Sequence, residues 1–234
     1  MLSCALRSPF LHGGRKRMKK APGGSSLKLV GILAVLVATL LLAGCGTSTP
    51  EQPKPAAPVA RDPNQKNPIA VIDTDVGTIK VELLENEAPK TAENFRLLAE
   101  RGFYNGVIFH RVMSGFMIQG GDPTGSGTGG QTADGGRLPN EIDINSPLYQ
   151  GGYKRGQLAM ANKGRPETAT SQFFVMHGDR PLNQLPANYT VFGRVIEGMN
   201  VIDKIATAPT TPQPTGENSR PVTPVKMNKV YIQQ

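Results

Sequence analysis

The chain has 234 residues, enough for one domain with additional segments, and its 27 glycines and 20 prolines favour turns and short strands over long helices. Its net charge of +8 arises at the N-terminus: residues 1–44 carry seven of the 26 basic residues and no acidic residue, which leaves 19 basic against 18 acidic residues in the remainder. Because that remainder contains no basic run of the kind that nucleic-acid binding requires, a nucleic-acid partner is excluded.

The N-terminal region has the arrangement of a secretory signal. Basic residues as far as Lys28 precede an uncharged, largely apolar run over residues 29–44. The run ends in Leu-Ala-Gly before Cys45, which resembles a bacterial lipobox, whose cysteine receives a diacylglyceryl group and becomes the new N-terminus. Cys45 is therefore the predicted lipidation site, and the predicted location is the extracytoplasmic face of a cell membrane. An uncleaved transmembrane anchor is the alternative, although the run is short for a span of about 20 residues.

Three segments precede the folded part. Residues 18–44 form the predicted signal peptide, because Met18 followed by two lysines makes a natural start, and residues 1–17 are an extension that a mis-called start would explain. Residues 45–68 comprise the lipidated cysteine and a linker with six prolines among small and polar residues. Such a segment buries little apolar surface, so a disordered, semi-rigid spacer between membrane and domain is expected.

The folded part is predicted over residues 69–234, and it contains no cysteine. Residues 69–83 predict two strands around a turn at 75–77, since apolar and polar residues alternate there with the period of a half-buried strand. Residues 89–102 predict a helix, with proline at the first position and glycine at the stop. Further on, the pattern predicts short strands at 107–112, 116–119, 157–161, 172–176 and 191–195, a helix at 199–205, a Pro/Thr-rich loop at 207–224 and a closing strand at 225–232. Many short strands with turn signals indicate an all-β barrel or sandwich.

Four stretches of this part carry a resemblance to a known family. The longest is FHRVMSGFMIQGGD at 109–122, and it is followed in matching order and spacing by LAMAN at 158–162, SQFF at 171–174 and YTVFG at 189–193. With these stretches the chain resembles the cyclophilins, which are peptidyl-prolyl cis–trans isomerases. The resemblance implies an all-β fold: a closed eight-stranded antiparallel β-barrel capped by two α-helices, with the active groove on the outside of the barrel.

The resemblance also implies a role for each residue of the groove. Arg111 is the implied catalytic residue. The implied pocket for the substrate proline is lined by Phe116, Met117, Phe174, Leu185 and Tyr189. Residues implied to hold the peptide backbone are Gln119, Ala161, Asn162 and Gln172. Three other aromatic residues are assigned to the core: Phe109, Phe173 and Phe192. The implied partners are proline-containing segments of exported proteins still folding at the cell envelope, bound by a monomer.

These residue types suit rotation about an X–Pro bond. The barrier of about 18–20 kcal/mol comes from the double-bond character of the C–N bond. No covalent bond forms or breaks, so no cofactor, metal ion, nucleophile or general base is expected. Catalysis instead requires tighter binding of the twisted state than of either planar state. In the twisted state the proline nitrogen regains a lone pair, which a permanently charged and rigid donor such as Arg111 stabilises.

Two other features are interpreted as structural. His110 is expected to be structural because the reaction needs no proton transfer, and three histidines without ligand spacing predict no metal site. Residues 125–130 fit the pattern G-x-G-x-x-G, but they run into another glycine-rich loop instead of a helix, so nucleotide binding is not expected. The resemblance makes this segment a surface loop beside the groove.

Three other functions compete with the isomerase. A non-catalytic peptide-binding chaperone on the same fold would not need Arg111. A solute-binding lipoprotein would be a larger, two-lobed chain with long βα units. A hydrolase would need a Ser/His/Asp or Cys/His set, and none is recognisable in the sequence.

The loop before Tyr189 departs from the family pattern. Eukaryotic cyclophilins carry a tryptophan that contacts cyclosporin, followed by a pocket leucine, and counting back from Tyr189 places Gln184 and Leu185 at these two positions. The chain contains no tryptophan, so weak cyclosporin binding is expected while catalysis is retained. Leu182 is the alternative pocket leucine because the loop is slightly longer than usual. Tyr189 itself replaces a histidine, which keeps an aromatic wall but changes its polarity.

Overall fold

The computed structural model describes residues 66–233, so the predicted signal peptide, Cys45 and most of the linker lie outside the described residues. Within this range the chain forms ten strands and two helices. The strands are β1 (Ile69–Thr74), β2 (Gly77–Leu83), β3 (Arg111–Met113), β4 (Met117–Gly120), β5 (Gln157–Met160), β6 (Phe173–Met176), β7 (Val191–Glu197), β8 (Thr210–Pro212), β9 (Asn218–Pro221) and β10 (Met227–Gln233). The helices are α1 (Pro89–Glu100) and α2 (Met199–Ala206). Neither of these helices has the length and apolar character needed to cross a membrane.

Eight of the strands form one curled antiparallel sheet, in the order β10-β1-β2-β7-β5-β6-β4-β3. The chain before β3 approaches the start of β10: the N–H of Phe109 donates to the carbonyl of Val225 at 3.0 Å, and the N–H of Met227 donates to the carbonyl of Val107 at 2.9 Å. Among the described residues β3 and β10 form no continuous ladder. The all-β fold is confirmed as a curled half-barrel with two helices, and full closure of the barrel stays a prediction.

Strand β6 shows how the sheet separates two apolar clusters. Successive side chains of a strand point to opposite faces of the sheet. Phe173 and Val175 enter the main core, which α1 and α2 cover, whereas Phe174 and Met176 enter a second cluster. All four side chains are buried, so this strand is apolar throughout instead of alternating. The second cluster forms the floor of the candidate site.

The main core is rich in aromatic rings. Phe95 of α1 is fully buried, stacks on Tyr104 with ring centroids 4.9 Å apart, and meets Phe173 edge-on at 5.4 Å. Phe109 and Phe192 are buried in the same cluster. The assignment of three phenylalanines to the core is therefore confirmed, and these rings hold α1 against the sheet that carries the site.

Helix α1 begins at the predicted residue and ends earlier than predicted. Pro89 occupies the first turn, where its missing N–H costs no helical hydrogen bond. The helix ends at Glu100, two residues before the predicted stop. Gly102 adopts φ +69°, a left-handed conformation that other residues rarely adopt, and so allows the chain to turn away from the helix axis.

Two strand predictions need correction. The strand predicted at 107–112 begins only at Arg111, because residues 107–109 reach the β10 side through an isolated bridge between Ile108 and Lys226 instead of a ladder. The Pro/Thr-rich segment 207–224, predicted as a loop, contains the two-stranded sheet of β8 and β9. Prolines are tolerated there because each strand of a two-stranded sheet has a free edge. Strand β9 lies against β3, which brings this hairpin to the candidate site.

Candidate functional site

One cleft above the second apolar cluster collects residues that are far apart in sequence. Its lining comprises Arg111, Phe116, Met117, Gln119, Ala161, Asn162, Phe174, Leu185 and Tyr189. These are nine of the ten residues predicted for the peptide site. The tenth, Gln172, lines an adjoining cleft that shares Gln119, Ala161 and Asn162 with the first. Leu182 packs on the second apolar cluster and is not part of the cleft lining, so Leu185 is the leucine at the cleft.

Arg111 is the first residue of β3, and its guanidinium is held on two sides. Nε and Nη2 donate to the two carboxylate oxygens of Glu217 at 2.6 and 2.7 Å. On the other side Nη1 donates to Oε1 of Gln119 at 3.2 Å. The sulfur atoms of Met113 and Met117 lie 3.3 and 3.8 Å from Nη2 and Nη1. The side chain is 28% exposed, so the cation is fixed at the boundary between the protein and the solvent.

Gln119 begins a relay of side-chain amides. Because its Oε1 accepts from Arg111, its Nε2 is free to donate to Oε1 of Gln172, at 3.0 Å. Nε2 of Gln172 then donates to the carbonyls of Gly127 and Gly129 at 3.1 and 2.7 Å. Each amide orientation is thereby determined by its neighbour. The relay links the cation in one cleft to the glycine-rich loop of the next.

The apolar side of the cleft is built from aromatic rings. Phe174 and Tyr189 meet edge-on with centroids 5.3 Å apart, an arrangement that fixes both rings. Phe116 follows a tight turn in which Gly115 adopts φ +73°. The guanidinium of Arg180 lies over the Phe116 ring, 5.0 Å from its centroid. These side chains therefore form an apolar wall on one side of the cleft.

Two residues after β5 complete the polar side of the cleft. The backbone N–H of Ala161 donates to the carbonyl of Gln172 at 2.9 Å. Nδ2 of Asn162 donates to the carbonyl of Asn188 at 2.8 Å, and its Oδ1 accepts from the N–H of Gly164 at 2.9 Å. The side chain of Asn162 thus ties the β5 side of the cleft to the loop that carries Tyr189.

The glycine-rich segment 125–130 is a loop organised by one buried carboxylate. Asp122 is fully buried and accepts hydrogen bonds from the N–H groups of Thr124, Gly127 and Gly129 at 2.8, 2.7 and 3.1 Å. Burial raises the pKa of Asp122, but these bonds outweigh it and hold the pKa at about 2. No helix follows this loop directly. It borders the adjoining cleft.

His110 lies under the site instead of in it. Its side chain is only 4% exposed, and within the described residues neither ring nitrogen has a hydrogen-bond partner. Burial lowers the pKa of His110, which keeps the imidazole neutral at pH 7. Over residues 66–233 no group of three His, Cys, Asp or Glu side chains is placed to hold a metal ion.

Neither Glu217 nor Arg180 is predicted from the sequence to belong to the site. Glu217 lies 106 residues beyond Arg111, within the segment predicted as a loop. Its hydrogen bonds with Arg111 are the main reason why its pKa is lowered to about 2, so it is a carboxylate at neutral pH. A single glutamate in a polar, proline-rich segment gives no periodic signal, and only the packing of the β8–β9 hairpin against β3 reveals its partner.

Together these residues form an apolar pocket with a fixed cation at its edge and oriented amides beside it. The pocket can bind a small apolar ring, and the amides can hold an extended backbone. The cation can stabilise electron density that develops on an atom of the bound ring. No nucleophile with an adjacent base is among the residues that line the cleft.

Comparisons with known proteins point to one family. A family model described as cyclophilin type peptidyl-prolyl cis-trans isomerase/CLD matches residues 69–232. Two proteins named peptidyl-prolyl cis-trans isomerase-like 1, from Neurospora crassa and Mus musculus, are 43% and 42% identical to this chain; the alignments cover 69% and 70% of this chain and 91% and 92% of theirs. A crystal structure of a cyclophilin type peptidyl-prolyl cis-trans isomerase from Cryptosporidium parvum matches with a TM-score of 0.64 at 33% identity, covering 72% of this chain and 98% of that chain. A second structure of that isomerase, in the presence of the dipeptide Ala-Pro, matches with a TM-score of 0.63 at 32% identity, covering 71% and 99%.

Proposed function

The chain belongs to the cyclophilin-type peptidyl-prolyl cis–trans isomerases, and from this membership we propose that its cleft around Arg111 accelerates X–Pro rotation in exported proteins at the cell envelope. The isomerase function itself rests on the family model over residues 69–232 and on relatives about 43% identical. The roles of individual residues, the clients and the location are proposed.

The apolar wall binds the proline ring. Its apolar side chains are Phe116, Met117 and Phe174, together with Leu185 and Tyr189. Burial of a ring against such a surface excludes water from one side of the X–Pro bond. The relative that was crystallised in the presence of Ala-Pro supports this choice of ligand. With the ring held, rotation takes place on the carbonyl side of the bond.

Polar groups hold the chain next to the proline. The amides of Gln119 and Gln172 have fixed orientations, and Ala161 and Asn162 line the same cleft as Arg111. Extended peptide backbone presents one donor and one acceptor per residue, which such groups can pair. These contacts orient the substrate and do not require any covalent step.

The observation that carries the mechanism is the fixed guanidinium of Arg111 at the edge of the apolar pocket. Twisting the X–Pro bond breaks its resonance and returns a lone pair to the proline nitrogen. A donor that is permanently charged and already oriented stabilises the twisted state more than either planar state. The neighbouring aromatic rings lower the local dielectric constant and so strengthen this interaction.

The test of this assignment is the exchange rate of an Ala-Pro peptide, followed by NMR with the full-length protein in detergent micelles. Arg111→Ala is expected to lower the catalysed rate by about tenfold or more, the equivalent of ~1.4 kcal/mol. Arg194→Ala is the matched control, because Arg194 pairs with Glu82 at 2.6 Å outside the cleft. Peptide binding without accelerated exchange in the wild type would instead support a non-catalytic peptide-binding chaperone.

The envelope location rests on the N-terminal sequence, since the relatives reported above are eukaryotic. We propose that Cys45 carries the lipid, that residues 46–68 act as a spacer, and that the domain works as a monomer beside the membrane. Labelling with a radioactive fatty acid in a bacterial host tests the anchor: the wild type and a Cys4→Ser control should incorporate the label, and Cys45→Ser should not. Membrane-bound wild-type protein without label would favour the transmembrane anchor.

The proposed role in the folding of exported proteins can be tested in a strain of the native host that lacks the gene. Uncatalysed X–Pro exchange takes tens to hundreds of seconds, slow enough to limit folding after export. We expect secreted proteins with cis prolines to acquire protease resistance more slowly in the deletion strain, and complementation by the wild type but not by Arg111→Ala. Unchanged folding rates in the deletion strain would contradict the role in export.

A further inference from the structure

We propose that Glu217 is a positioning residue for the isomerase reaction, because it holds the guanidinium of Arg111 in the orientation that faces the bound proline. This inference rests on the proposed catalytic role of Arg111. It assigns a function to the β8–β9 hairpin, which the sequence marks only as a Pro/Thr-rich segment.

The contact has the geometry of a strong ion pair. Two parallel hydrogen bonds of 2.6 and 2.7 Å join Nε and Nη2 of Arg111 to the carboxylate of Glu217. Such paired bonds fix the plane of a guanidinium as well as its position. The two side chains are 28% and 31% exposed, so solvent does not surround the pair.

Glu217 contacts the arginine from outside the cleft. Among the described residues, those that line the cleft include Arg111 and Gln119 but not Glu217. The carboxylate occupies the edge formed by Nε and Nη2, and Nη1 is directed to Gln119 on the cleft side. A peptide can therefore reach the Nη1 side of the guanidinium without displacing Glu217, which separates a positioning contact from an autoinhibitory one.

The hairpin in turn holds Glu217. Ser219 Oγ donates to Oε1 of Glu217 at 2.6 Å, and Nε2 of Gln213 donates to Ser219 Oγ at 2.6 Å. The backbone N–H of Gln213 donates to the carbonyl of Glu217 at 2.8 Å. Ser219 is fully buried. Ser219 and Gln213 therefore hold the carboxylate of Glu217 in place, and the carboxylate in turn orients the guanidinium of Arg111.

Two effects of the carboxylate on catalysis have opposite signs. An arginine side chain has many rotamers, and fixing one of them in advance raises the rate of a reaction that uses a single orientation. The negative charge of Glu217 also reduces the positive potential at the cleft, which alone would slow the reaction. We infer that orientation dominates, because the carboxylate lies on the far edge of the guanidinium while Nη1 remains on the cleft side.

The experiment compares Glu217→Gln with the wild type in full-length protein, by NMR exchange of an Ala-Pro peptide over a range of peptide concentrations. Glu217→Gln is expected to lower kcat about fivefold, equivalent to ~1 kcal/mol, with KM changed less than about twofold. Glu82→Gln is the control, because Glu82 forms an ion pair with Arg194, through a single contact, outside the cleft. An unchanged or increased kcat in Glu217→Gln overturns the inference.

A double-mutant cycle and a spectroscopic measurement complete the test. In an Arg111→Ala background, Glu217→Gln should have no further effect on kcat; an undiminished fivefold loss there would show that Glu217 does not act through Arg111. The Arg111 Nε–H resonance should lose its protection from solvent exchange in Glu217→Gln and keep it in Glu82→Gln, and retained protection overturns the inference. If Arg111→Ala itself leaves kcat unchanged, the proposed catalytic role of Arg111 is wrong. That result is distinct from a failure of the inference about Glu217 alone.

Discussion

Arg111 and Gln119 lie directly opposite each other across β3 and β4, and Nη1 of Arg111 donates a hydrogen bond of 3.2 Å to Oε1 of Gln119. The ladder register sets this pair, since opposite residues on one face of an antiparallel sheet have adjacent side chains. Eight positions separate the two residues in sequence, because a tight hairpin whose turn contains Gly115 joins β3 to β4. The same short motif therefore encodes the cation and the amide that orients it.

Gln119→Leu is predicted to reduce kcat/KM about tenfold. The substitution removes the acceptor of Arg111 Nη1 and the donor to Gln172, and a hydrogen bond to a charged group contributes about 1.5–3 kcal/mol. Because Gln119 is only partly buried, we expect a free-energy contribution at the lower end of that range. Peptide exchange by NMR measures the effect, with Gln150→Leu as a control at an exposed position outside the cleft. Equal rates for the two variants would refute a role for the amide relay.

Asp122→Asn is predicted to destabilise the domain by about 2 kcal/mol at pH 7, because an amide nitrogen would face N–H groups that now donate to a carboxylate. The folded-state pKa of about 2 lies below the ordinary 3.8. This carboxylate therefore contributes stability that is complete above about pH 4 and is lost as the pH falls toward 2.

Urea unfolding of the wild type and of Asp122→Asn from pH 7 to pH 2.5 measures this contribution. The difference between their free energies of unfolding should narrow below about pH 4. Asp143→Asn is the control, since Asp143 is exposed and accepts one local hydrogen bond from Asn145. A difference that stays constant down to pH 2.5 would mean that the charge of Asp122 is not the source of the stability.

The sequence predicted most of the fold because its signals are local. The strands around the 75–77 turn alternate with period two, and Pro89 marks the helix start. The apolar run of β6 is ambiguous by periodicity, yet the resemblance placed Phe174 at the cleft and Phe173 in the core, and the two apolar clusters agree with that division. Nine predicted site residues meet in one cleft, while their roles in catalysis stay predictions.

What the sequence could not predict depends on contacts between distant segments. Glu217 lies 106 positions after Arg111 in the sequence. The β8–β9 hairpin that carries Glu217 consists of polar residues and prolines with no apolar pattern. The start of β3 at Arg111 likewise depends on whether residues 107–109 form a ladder with the β10 side, which is decided by tertiary contacts.

Gln184→Trp is predicted to tighten cyclosporin binding at least about tenfold over a weakly binding wild type. Gln184 is exposed and precedes Leu185, which lines the cleft. An indole there would add a large apolar surface and one N–H donor. Since the chain has no tryptophan, the introduced residue also reports binding through its own fluorescence, while inhibition of peptide exchange reports on the wild type.

Leu182→Trp is the comparison for this prediction. Leu182 packs on the second apolar cluster beside the cleft and was the alternative position for the pocket leucine. Tighter binding by Leu182→Trp than by Gln184→Trp would show that the loop aligns with its relatives differently. Loss of peptide exchange in Gln184→Trp before any cyclosporin is added would show that the position is required for catalysis.

His110→Phe is predicted to remove a pH dependence of stability without changing the pH dependence of catalysis. His110 is buried, and burial lowers its pKa; Asp122 opposes this effect, and the positive charges of Arg111 and Arg220 reinforce it. The folded protein therefore keeps the imidazole neutral, whereas the unfolded chain binds a proton below about pH 6.5. The stability that this group contributes is present above pH 6.5 and is lost as the pH falls toward the lower folded-state pKa, by at most about 1.4 kcal/mol per pH unit.

Urea unfolding between pH 5 and pH 8 tests this relationship. The wild type should lose free energy of unfolding below about pH 6.5, and His110→Phe should lose less over the same interval. His177→Asn is the control, because Asn can still accept the hydrogen bond that Nδ1 of His177 receives from the N–H of Gly115. Isomerase kcat should be flat from pH 6 to pH 8 in both the wild type and His110→Phe, since rotation about the X–Pro bond transfers no proton. A kcat that titrates in the wild type and becomes flat in His110→Phe would make His110 a participant in the reaction and contradict its structural role.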